Sequence, residues 1–212
     1  MQKSIVLLSG GLDSSTIVAD FLAKGIEVSA VAIDYGQNHR LELACAKRLA
    51  QHYDVKLDIL EIPTFLTASS LLSGKDIPKG RTLEEISNSG VPSTFVPGRN
   101  LLFASMASAY AATRGVKYVA LGVNKDDYTG YPDCRPAFIE AFQETLDNAF
   151  PKESRVELIT PLIEMTKVEI VRLAIRLQLP LNMTSSCYSP IEDRACQQCD
   201  ACVLRAHAIS FA

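Results

Sequence analysis

The sequence lacks an excess of positive charge, a long apolar run and a leader pattern, and each absence argues against a class of protein. Its 21 lysines and arginines are outnumbered by 24 acidic residues, giving a net charge of −3, which disfavours a duplex-binding surface. No apolar stretch approaches the roughly 20 residues that span a bilayer. A predicted strand follows Met1-Gln2-Lys3 without the arrangement of a signal peptide. We therefore expect a cytoplasmic protein with neither a nucleic-acid nor a membrane partner.

Cysteine is sparse along most of the chain and concentrated in residues 180–212. Six cysteines without an export signal are better explained as thiols or metal ligands than as disulfides. Four of them follow the pattern C-x8-C-x2-C-x2-C, namely Cys187, Cys196, Cys199 and Cys202. Four thiolates fill the tetrahedral shell of Zn²⁺, so we predict a closed, structural zinc site. The alternatives are an iron–sulfur cluster, which spacing alone does not exclude, redox thiols, and a zinc knuckle, which the absence of a basic stripe disfavours.

A glycine-rich segment follows the apolar residues 5–8. It reads Ser9-Gly10-Gly11-Leu12-Asp13-Ser14 and leads into a predicted helix. Adjacent glycines let backbone N–H groups turn toward a ligand, and the helix N-terminus adds partial positive charge. The segment lacks the Gly-Lys-Ser/Thr of a Walker loop and resembles the pyrophosphate loop (PP-loop) of the N-type ATP pyrophosphatases. That resemblance implies ATP contacts from Leu8, Ser9, Gly10, Gly11, Leu12, Asp13, Ser14, Ser15, Thr16, Ile17 and Val18, with Asp13 and Ser14 also catalytic.

Predicted strands and helices alternate along the chain. The strands are expected over residues 4–8, 27–34, 56–62, 118–123 and 156–160, and the helices over 14–24, 41–52, 100–114, 136–150 and 166–177. This alternation predicts a mainly parallel, doubly wound α/β sheet covered on both faces, in one domain over residues 1–212. The resemblance of the loop to the PP-loop implies the adenine nucleotide α-hydrolase-like type of this fold. Residues 63–99 interrupt the pattern, and we expect a short helix near 83–86 and closure of part of this segment over bound nucleotide.

Polar clusters follow successive strands at their carboxyl ends, where open α/β sheets bind ligands. They are D-Y-G-Q at 34–37, P-S-T-F-V-P-G-R-N at 92–100, G-V-N at 122–124 and D-Y-x-G-Y-P-D-C-R at 127–135. With the PP-loop, T-P-L at 160–162 and the four-cysteine tail, they closely resemble the family of 7-cyano-7-deazaguanine synthases over nearly the whole chain. The chain departs from that pattern at Gln197, where glycine is usual, and at Ser189-Pro190, where Asn-Gly is usual.

The resemblance implies a carbon–nitrogen ligase of queuosine biosynthesis that converts a carboxylate into a nitrile. ATP would adenylate 7-carboxy-7-deazaguanine, ammonia would displace AMP to form the amide, and a second adenylation would allow elimination to the nitrile. Anionic substrate and anionic ATP repel each other, so cationic groups and Mg²⁺ must offset that repulsion. The candidates are Arg99, which would also contact ATP, Arg135 and Lys125. The expected contacts to the deazapurine are Phe95, Asp127, Tyr128, Tyr131, Asp133 and Arg135.

Two other functions fit the same loop. One is a PP-loop enzyme that modifies tRNA, of the thiolase or lysidine type, although such enzymes usually carry an added RNA-binding domain or a catalytic cysteine pair. The other is a zinc-stabilised nucleotide-binding module without turnover. In all, we expect ATP, Zn²⁺ and Mg²⁺ as cofactors, the deazapurine acid and ammonia as small-molecule partners, and a homodimer.

Overall fold

The strands form one parallel sheet in the computed structural model, which describes residues 2–37, 40–62, 69–72, 76–128 and 130–212. In chain order they are β1 (Lys3–Leu7), β2 (Glu27–Asp34), β3 (Lys56–Glu61), β4 (Tyr118–Ala120) and β5 (Glu157–Ile159). Their spatial order is β3-β2-β1-β4-β5, and every neighbouring pair is parallel. The strand order changes direction between β1 and β4, which confirms the predicted doubly wound architecture and makes that point the expected ligand crevice.

Helices cover both faces of the sheet. They are α1 (Leu12–Ala23), α2 (Leu41–His52), α3 (Leu83–Ser87), α4 (Arg99–Thr113), α5 (Pro136–Ala149), α6 (Lys167–Arg176) and α7 (Asp200–Ser210). One core cluster joins α1, α2, α6 and α7 to the sheet face that carries Val6, and the other joins α4 and α5 to the face that carries Ile5. Both of these β1 side chains are fully buried, as expected for a central parallel strand. None of the described helices is long and apolar enough to cross a membrane.

Two boundaries differ from the prediction by two residues or more, and one helix was not predicted. Helix α1 begins at Leu12, two residues early, because Gly11 adopts the extended conformation of an N-cap. Asp13 and Ser14 therefore lie in its first turn. Strand β4 ends at Ala120 rather than at residue 123, where the chain passes close to the start of α1. Helix α7 has no predicted counterpart, since the cysteine spacing dominates that part of the sequence.

A capping box formed by Thr166 and Glu169 starts α6. The Glu169 backbone N–H donates to the Thr166 hydroxyl at 3.3 Å, and the Thr166 N–H donates to the Glu169 carboxylate at 2.8 Å. Two otherwise unpaired helix N–H groups are thereby satisfied. The cap places the next residue, Lys167, in the first turn of a helix that borders the crevice.

Candidate active site and metal centre

A cavity of about 710 Å³ lies at the carboxyl ends of β1 and β4. Leu8 follows β1 and Gly122 follows β4, and both line it. Residues from the glycine-rich loop, α4, α6 and the cysteine-rich tail complete the wall. The described structure therefore has its main cavity at the switch point of the sheet, where doubly wound folds bind ligands.

The glycine-rich loop packs too closely against its surroundings to accept side chains. Gly10 has φ +82°, and a Cβ there would lie 2.2 Å from the backbone oxygen of Glu42. A Cβ on Gly122 would lie 3.1 Å from the Ser14 nitrogen, so the chain after β4 runs against the first turn of α1. The Ser14 hydroxyl accepts the Ser9 N–H at 3.2 Å, which fixes the loop to the helix.

The N-terminus of α1 is open to the cavity. Its N-cap, Gly11, has no side chain, and no described side chain caps this helix end. Residues 11–14 line the cavity. Unpaired N–H groups and the helix dipole together make such an end a binding site for anionic groups such as phosphates.

An ion pair stands beside this helix end. Lys167 Nζ donates to Asp13 Oδ2 at 2.7 Å, and the two side chains are only 20% and 22% exposed. Burial lowers the pKa of Lys167, but Asp13 and Asp127 raise it more, so the net shift keeps the lysine charged. The other oxygen, Asp13 Oδ1, is buried without a hydrogen-bond partner among the described residues. An unpartnered carboxylate oxygen in a polar cleft fits a Mg²⁺ ligand, because Mg²⁺ prefers oxygen donors.

A second carboxylate shares this environment. The fully buried Asn124 donates through Nδ2 to Asp127 Oδ2 at 2.7 Å, and its Oδ1 accepts the Asp126 N–H at 3.1 Å. Burial, with a smaller contribution from Asp13, raises the pKa of Asp127 to about 6, while Lys167 opposes the shift. A cation bound beside Asp13 and Asp127 would offset the repulsion between the two carboxylates.

Arg99, at the start of α4, supplies positive charge to another part of the cavity wall. Burial lowers the pKa of Arg99, but Tyr35, Tyr188 and Glu42 raise it more, so the guanidinium stays protonated. Burial raises the pKa of Glu42 to about 7, and Arg99 lowers it in part. A permanently charged guanidinium in a cleft is suited to a carboxylate or phosphate.

Aromatic hydroxyls line the cavity near Arg99. The Tyr131 hydroxyl lies 3.4 Å from the Tyr188 hydroxyl and 3.4 Å from Thr94 Oγ1. The Phe95 ring packs against the Tyr131 ring with centroids 6.2 Å apart. Tyr131 therefore lines the cavity, and Phe95, which does not line it, packs against the Tyr131 ring.

Many of the predicted site residues meet at this cavity. Those that line it are Leu8, Ser9, Gly11, Leu12, Asp13, Ser14, Arg99, Lys125, Asp127 and Tyr131. Gly10, Ser15, Thr16, Ile17 and Val18 are buried beneath the lining. The Ser15 and Thr16 hydroxyls donate back to the carbonyls of Gly11 and Leu12, at 2.6 and 2.8 Å. These two hydroxyls are therefore hydrogen-bonded to backbone carbonyls at the start of α1.

Four residues predicted to contact the substrate lie outside the cavity lining: Phe95, Tyr128, Asp133 and Arg135. The Asp133 carboxylate accepts the backbone N–H of Asn100 at 3.0 Å, near the start of α4. Exposed Arg135 donates through Nε to the Tyr128 carbonyl at 2.8 Å, and the Tyr128 hydroxyl donates to the Ile163 carbonyl. Their contacts in this structure hold the segment that carries Tyr131.

The sequence analysis missed several residues that line the cavity, including Glu42, Lys167, Tyr188 and Arg205. Arg205, on α7, donates to Thr184 Oγ1 at 2.7 Å and to the Leu181 carbonyl at 2.8 Å. Only the fold brings α7 to the crevice, so no local pattern marks Arg205. Lys167 does carry a local signal, because a lysine in the first turn of a helix opposes the helix dipole.

The four cysteines of the tail converge on one point. Their sulfur atoms all lie within 4.8 Å of one another, and all four residues are buried. The Cys196 N–H donates to Cys187 Sγ at 3.2 Å, and the Cys199 N–H donates to Cys196 Sγ at 3.3 Å. A tetrahedral zinc with Zn–S distances of about 2.3 Å requires sulfur atoms about 3.8 Å apart. The cluster is thus compact enough to share a single ion.

The cysteine cluster is tied to both sides of the cavity. Lys79 forms an antiparallel bridge with Cys199, and the Gly80 N–H donates to the Gln198 carbonyl at 2.9 Å. Arg81 pairs with Asp200, its Nε lying 2.9 Å from Oδ1. At the other side, the Ser185 N–H donates to the Gly10 carbonyl at 3.0 Å. Residues 63–68 and 73–75 of the segment predicted to close over nucleotide lie outside the described residues.

Comparison with known proteins decides the family. The model of the family described as "Queuosine biosynthesis protein QueC" matches residues 3–212. The chain belongs to this family. A QueC relative from Leptospira interrogans, named 7-cyano-7-deazaguanine synthase, is 41% identical over 96% of this chain and 84% of its own length. Relatives of the same name from Acetivibrio thermocellus and Thermoplasma volcanium are 41% and 38% identical, over 97% and 96% of this chain and 91% and 85% of their own lengths. The resemblance inferred from the motifs, and with it the prediction of an enzyme, is confirmed.

A solved structure supports the fold. The U34-tRNA thiolase NcsA from Methanococcus maripaludis, determined with its [4Fe-4S] cluster, aligns with a TM-score of 0.52 at 17% identity. The alignment covers 99% of this chain but 64% of the thiolase. At this level of identity the likeness extends to the architecture alone, which agrees with the predicted PP-loop fold.

Proposed function

We propose that this QueC family member converts 7-carboxy-7-deazaguanine and ammonia into 7-cyano-7-deazaguanine at the expense of ATP. One observation carries the proposal: the N-terminus of α1, Asp13 and the Arg99 guanidinium line one cavity, and Asp13 Oδ1 has no hydrogen-bond partner among the described residues. The helix N-terminus suits phosphates, the Asp13 oxygen suits a divalent cation, and the Arg99 guanidinium suits a carboxylate. Carboxylate activation by ATP needs all three in one place, and the relatives' names indicate the substrate class.

The chain's own residues divide the work of the first step. The N–H groups of residues 11–14 and the Ser14 hydroxyl would hold the phosphates. Asp13 and Asp127 would hold Mg²⁺, which supplies positive charge to the phosphate oxygens. Lys167 would hold the Asp13 carboxylate in place through their ion pair and add charge beside the leaving pyrophosphate, and Lys125 would contribute from the same wall. Arg99 would hold the substrate carboxylate against the α-phosphate, where positioning alone contributes much of the rate.

The same site would serve twice. After ammonia displaces AMP, the amide differs from the acid by one oxygen replaced with nitrogen, so it fits the same contacts. A second adenylation on the amide oxygen creates a leaving group, and loss of AMP together with two protons gives the nitrile. Tyr131, supported by Phe95, would lie against the deazapurine ring through both steps.

The tail would hold one Zn²⁺ through Cys187, Cys196, Cys199 and Cys202. Sulfur atoms within 4.8 Å of one another support a single ion. A four-iron cluster binds each cysteine to a different iron atom and so spreads the four sulfurs further apart. Four protein ligands leave no open position, which makes the role structural.

Mass spectrometry of the products tests the proposal. Purified protein with 7-carboxy-7-deazaguanine, ATP and ammonium is expected to give the nitrile and two AMP per nitrile, with the amide as an intermediate. The amide supplied alone is expected to give the nitrile with one ATP and no ammonia. An inert amide, or AMP formed without any deazapurine, would contradict the proposal, and sulfur transfer to tRNA would instead identify a thiolase.

A further inference from the structure

A second, smaller cavity of about 20 Å³ adjoins the main one. Tyr35, Gln37, Glu42, Arg99 and Tyr188 line both cavities, so the smaller one is a side chamber of the candidate active site. Its volume matches a single molecule the size of water. Leu71 supplies an apolar part of its wall and does not line the main cavity.

The polar part of this side chamber is rich in hydrogen-bond acceptors. Glu42 brings a carboxylate, and Tyr35 and Tyr188 bring phenol oxygens. Gln37 is held in place, since its Oε1 accepts the Tyr35 N–H at 3.1 Å. The donor Arg99 and the Cys187 thiol complete the wall with Leu71. When Arg99 is engaged by another group, the remaining acceptors around a one-molecule space favour a small ligand that carries N–H donors and positive charge.

The charge balance of the side chamber changes when the active site fills. Burial disfavours the Glu42 carboxylate and raises its pKa, which means that a cation beside it would stabilise it. Arg99 provides that charge in this structure. Under the proposed function, the substrate carboxylate engages Arg99, and Glu42 is then left facing the chamber with its charge no longer offset.

We propose that this side chamber, walled by Glu42, Tyr35 and Tyr188, is the subsite that binds ammonium for the first half of the reaction. The inference rests on the proposed function and adds the place at which ammonium binds and the order in which the two substrates bind. Ammonium binds after the deazapurine acid, because the acid neutralises Arg99, and it is held next to the cavity in which the acid is activated.

Rates measured separately for the two halves of the reaction distinguish ammonium binding by Glu42 from a general structural role. Formation of the amide consumes ammonium, whose nitrogen forms the new C–N bond as AMP leaves and two protons are released, whereas conversion of the amide to the nitrile consumes none. Glu42→Gln keeps the shape and removes the charge. We expect its KM for ammonium to rise about ten-fold, the equivalent of roughly 1.4 kcal/mol. The ratio of the first-step to the second-step rate should fall by about the same factor at low ammonium and recover at saturating ammonium.

Matched variants complete the test. Glu42→Asp retains the charge, so its KM for ammonium should lie between the wild-type and Glu42→Gln values, and it replaces Glu42→Gln if thermal melting shows that the latter does not fold. Glu144→Gln, on the exposed surface of α5, should match the wild type. An unchanged KM for ammonium in Glu42→Gln, or equal slowing of both steps, would overturn the subsite alone. Absence of amide and nitrile with the wild type would overturn the proposed function and the subsite with it.

Discussion

At the first turn of α6, Lys167 carries a positive charge where the helix dipole favours a negative one. Its Nζ reaches Asp13 in the first turn of α1, where a carboxylate is favourable. The pair joins the two helix ends at the cavity, and Asp13 Oδ1 has no hydrogen-bond partner in the part of the chain that the structure describes. The position of Lys167 is therefore explained by the site and not by helix stability.

Replacement of Asp13 tests this arrangement. We expect Asp13→Ala to lower ATP-dependent pyrophosphate release by about a hundred-fold or more, as removal of a charge-stabilising group at a reacting centre does. The fold should persist, because the affected side chains lie at the cavity wall. Asp20→Ala, which breaks the Lys24–Asp20 ion pair on the same helix, is the control and should retain activity. Turnover near the wild-type rate in a folded Asp13→Ala protein would contradict the assignment.

Asp127 should give the protein a pH-dependent instability. Its pKa of about 6 lies above its ordinary value of 3.8, so the folded state binds the proton more tightly than the unfolded state. Ionisation above pH 6 therefore destabilises the fold, and Asp127→Asn should melt at a higher temperature than the wild type at pH 8. The difference should shrink as pH falls from 6 to 4. A difference that stays constant across this range would contradict the interpretation.

At the scale of elements, local signals identify most helices and strands. Glycines at 25 and 115 follow α1 and α4, and the capping box at Thr166 marks the start of α6. These signals are readable because helix ends are set by neighbouring residues. Helix α7 escaped prediction because it is weakly amphipathic and gains its stability from packing on α6 and α3, with Ala208 buried in the same core cluster as α6. Likewise, only tertiary packing brings Glu42 to the cavity.

The Asp133 contact at the start of α4 can be tested against a substrate role. The carboxylate accepts the Asn100 N–H in the manner of a helix cap. Loss of such a cap lowers the free energy of unfolding by about 1–2 kcal/mol, which we expect for Asp133→Ala in denaturant titrations. Glu140→Ala, exposed on α5, should leave it near the wild-type value. Unchanged stability with a greatly raised KM for the deazapurine acid would instead make Asp133 a substrate ligand.

Across the whole molecule, the tail couples the cysteine cluster to the PP-loop. Residues 79–81 bond to the cluster segment on one side, and Ser185 bonds to Gly10 on the other. A metal that holds the cluster would therefore also hold two walls of the cavity.

The predicted homodimer stays a prediction.

Metal removal should act on stability and activity together. We expect one zinc per chain by elemental analysis, and chelation should lower the melting temperature and ATP-dependent turnover, with recovery on adding zinc. Cys199→Ser should lose the metal. Cys45→Ser, at a buried cysteine outside the cluster, should keep it. Iron with visible absorbance, or a metal-free protein of full stability, would contradict the zinc assignment.

The tight packing at Gly10 bears on how mutational surveys of this chain would be interpreted. Gly10 and Gly25 share a left-handed backbone, but a Cβ on Gly10 meets the Glu42 backbone, whereas one on Gly25 meets no described atom within 4 Å. Asparagine, which tolerates this conformation, should be accepted at 25 and rejected at 10. In a scan scored by enzyme activity, substitutions at Gly10 would therefore appear as damaging as substitutions of catalytic residues, although Gly10 does not line the cavity. Scoring the same library by protein abundance would separate a position required by folding from one required by chemistry.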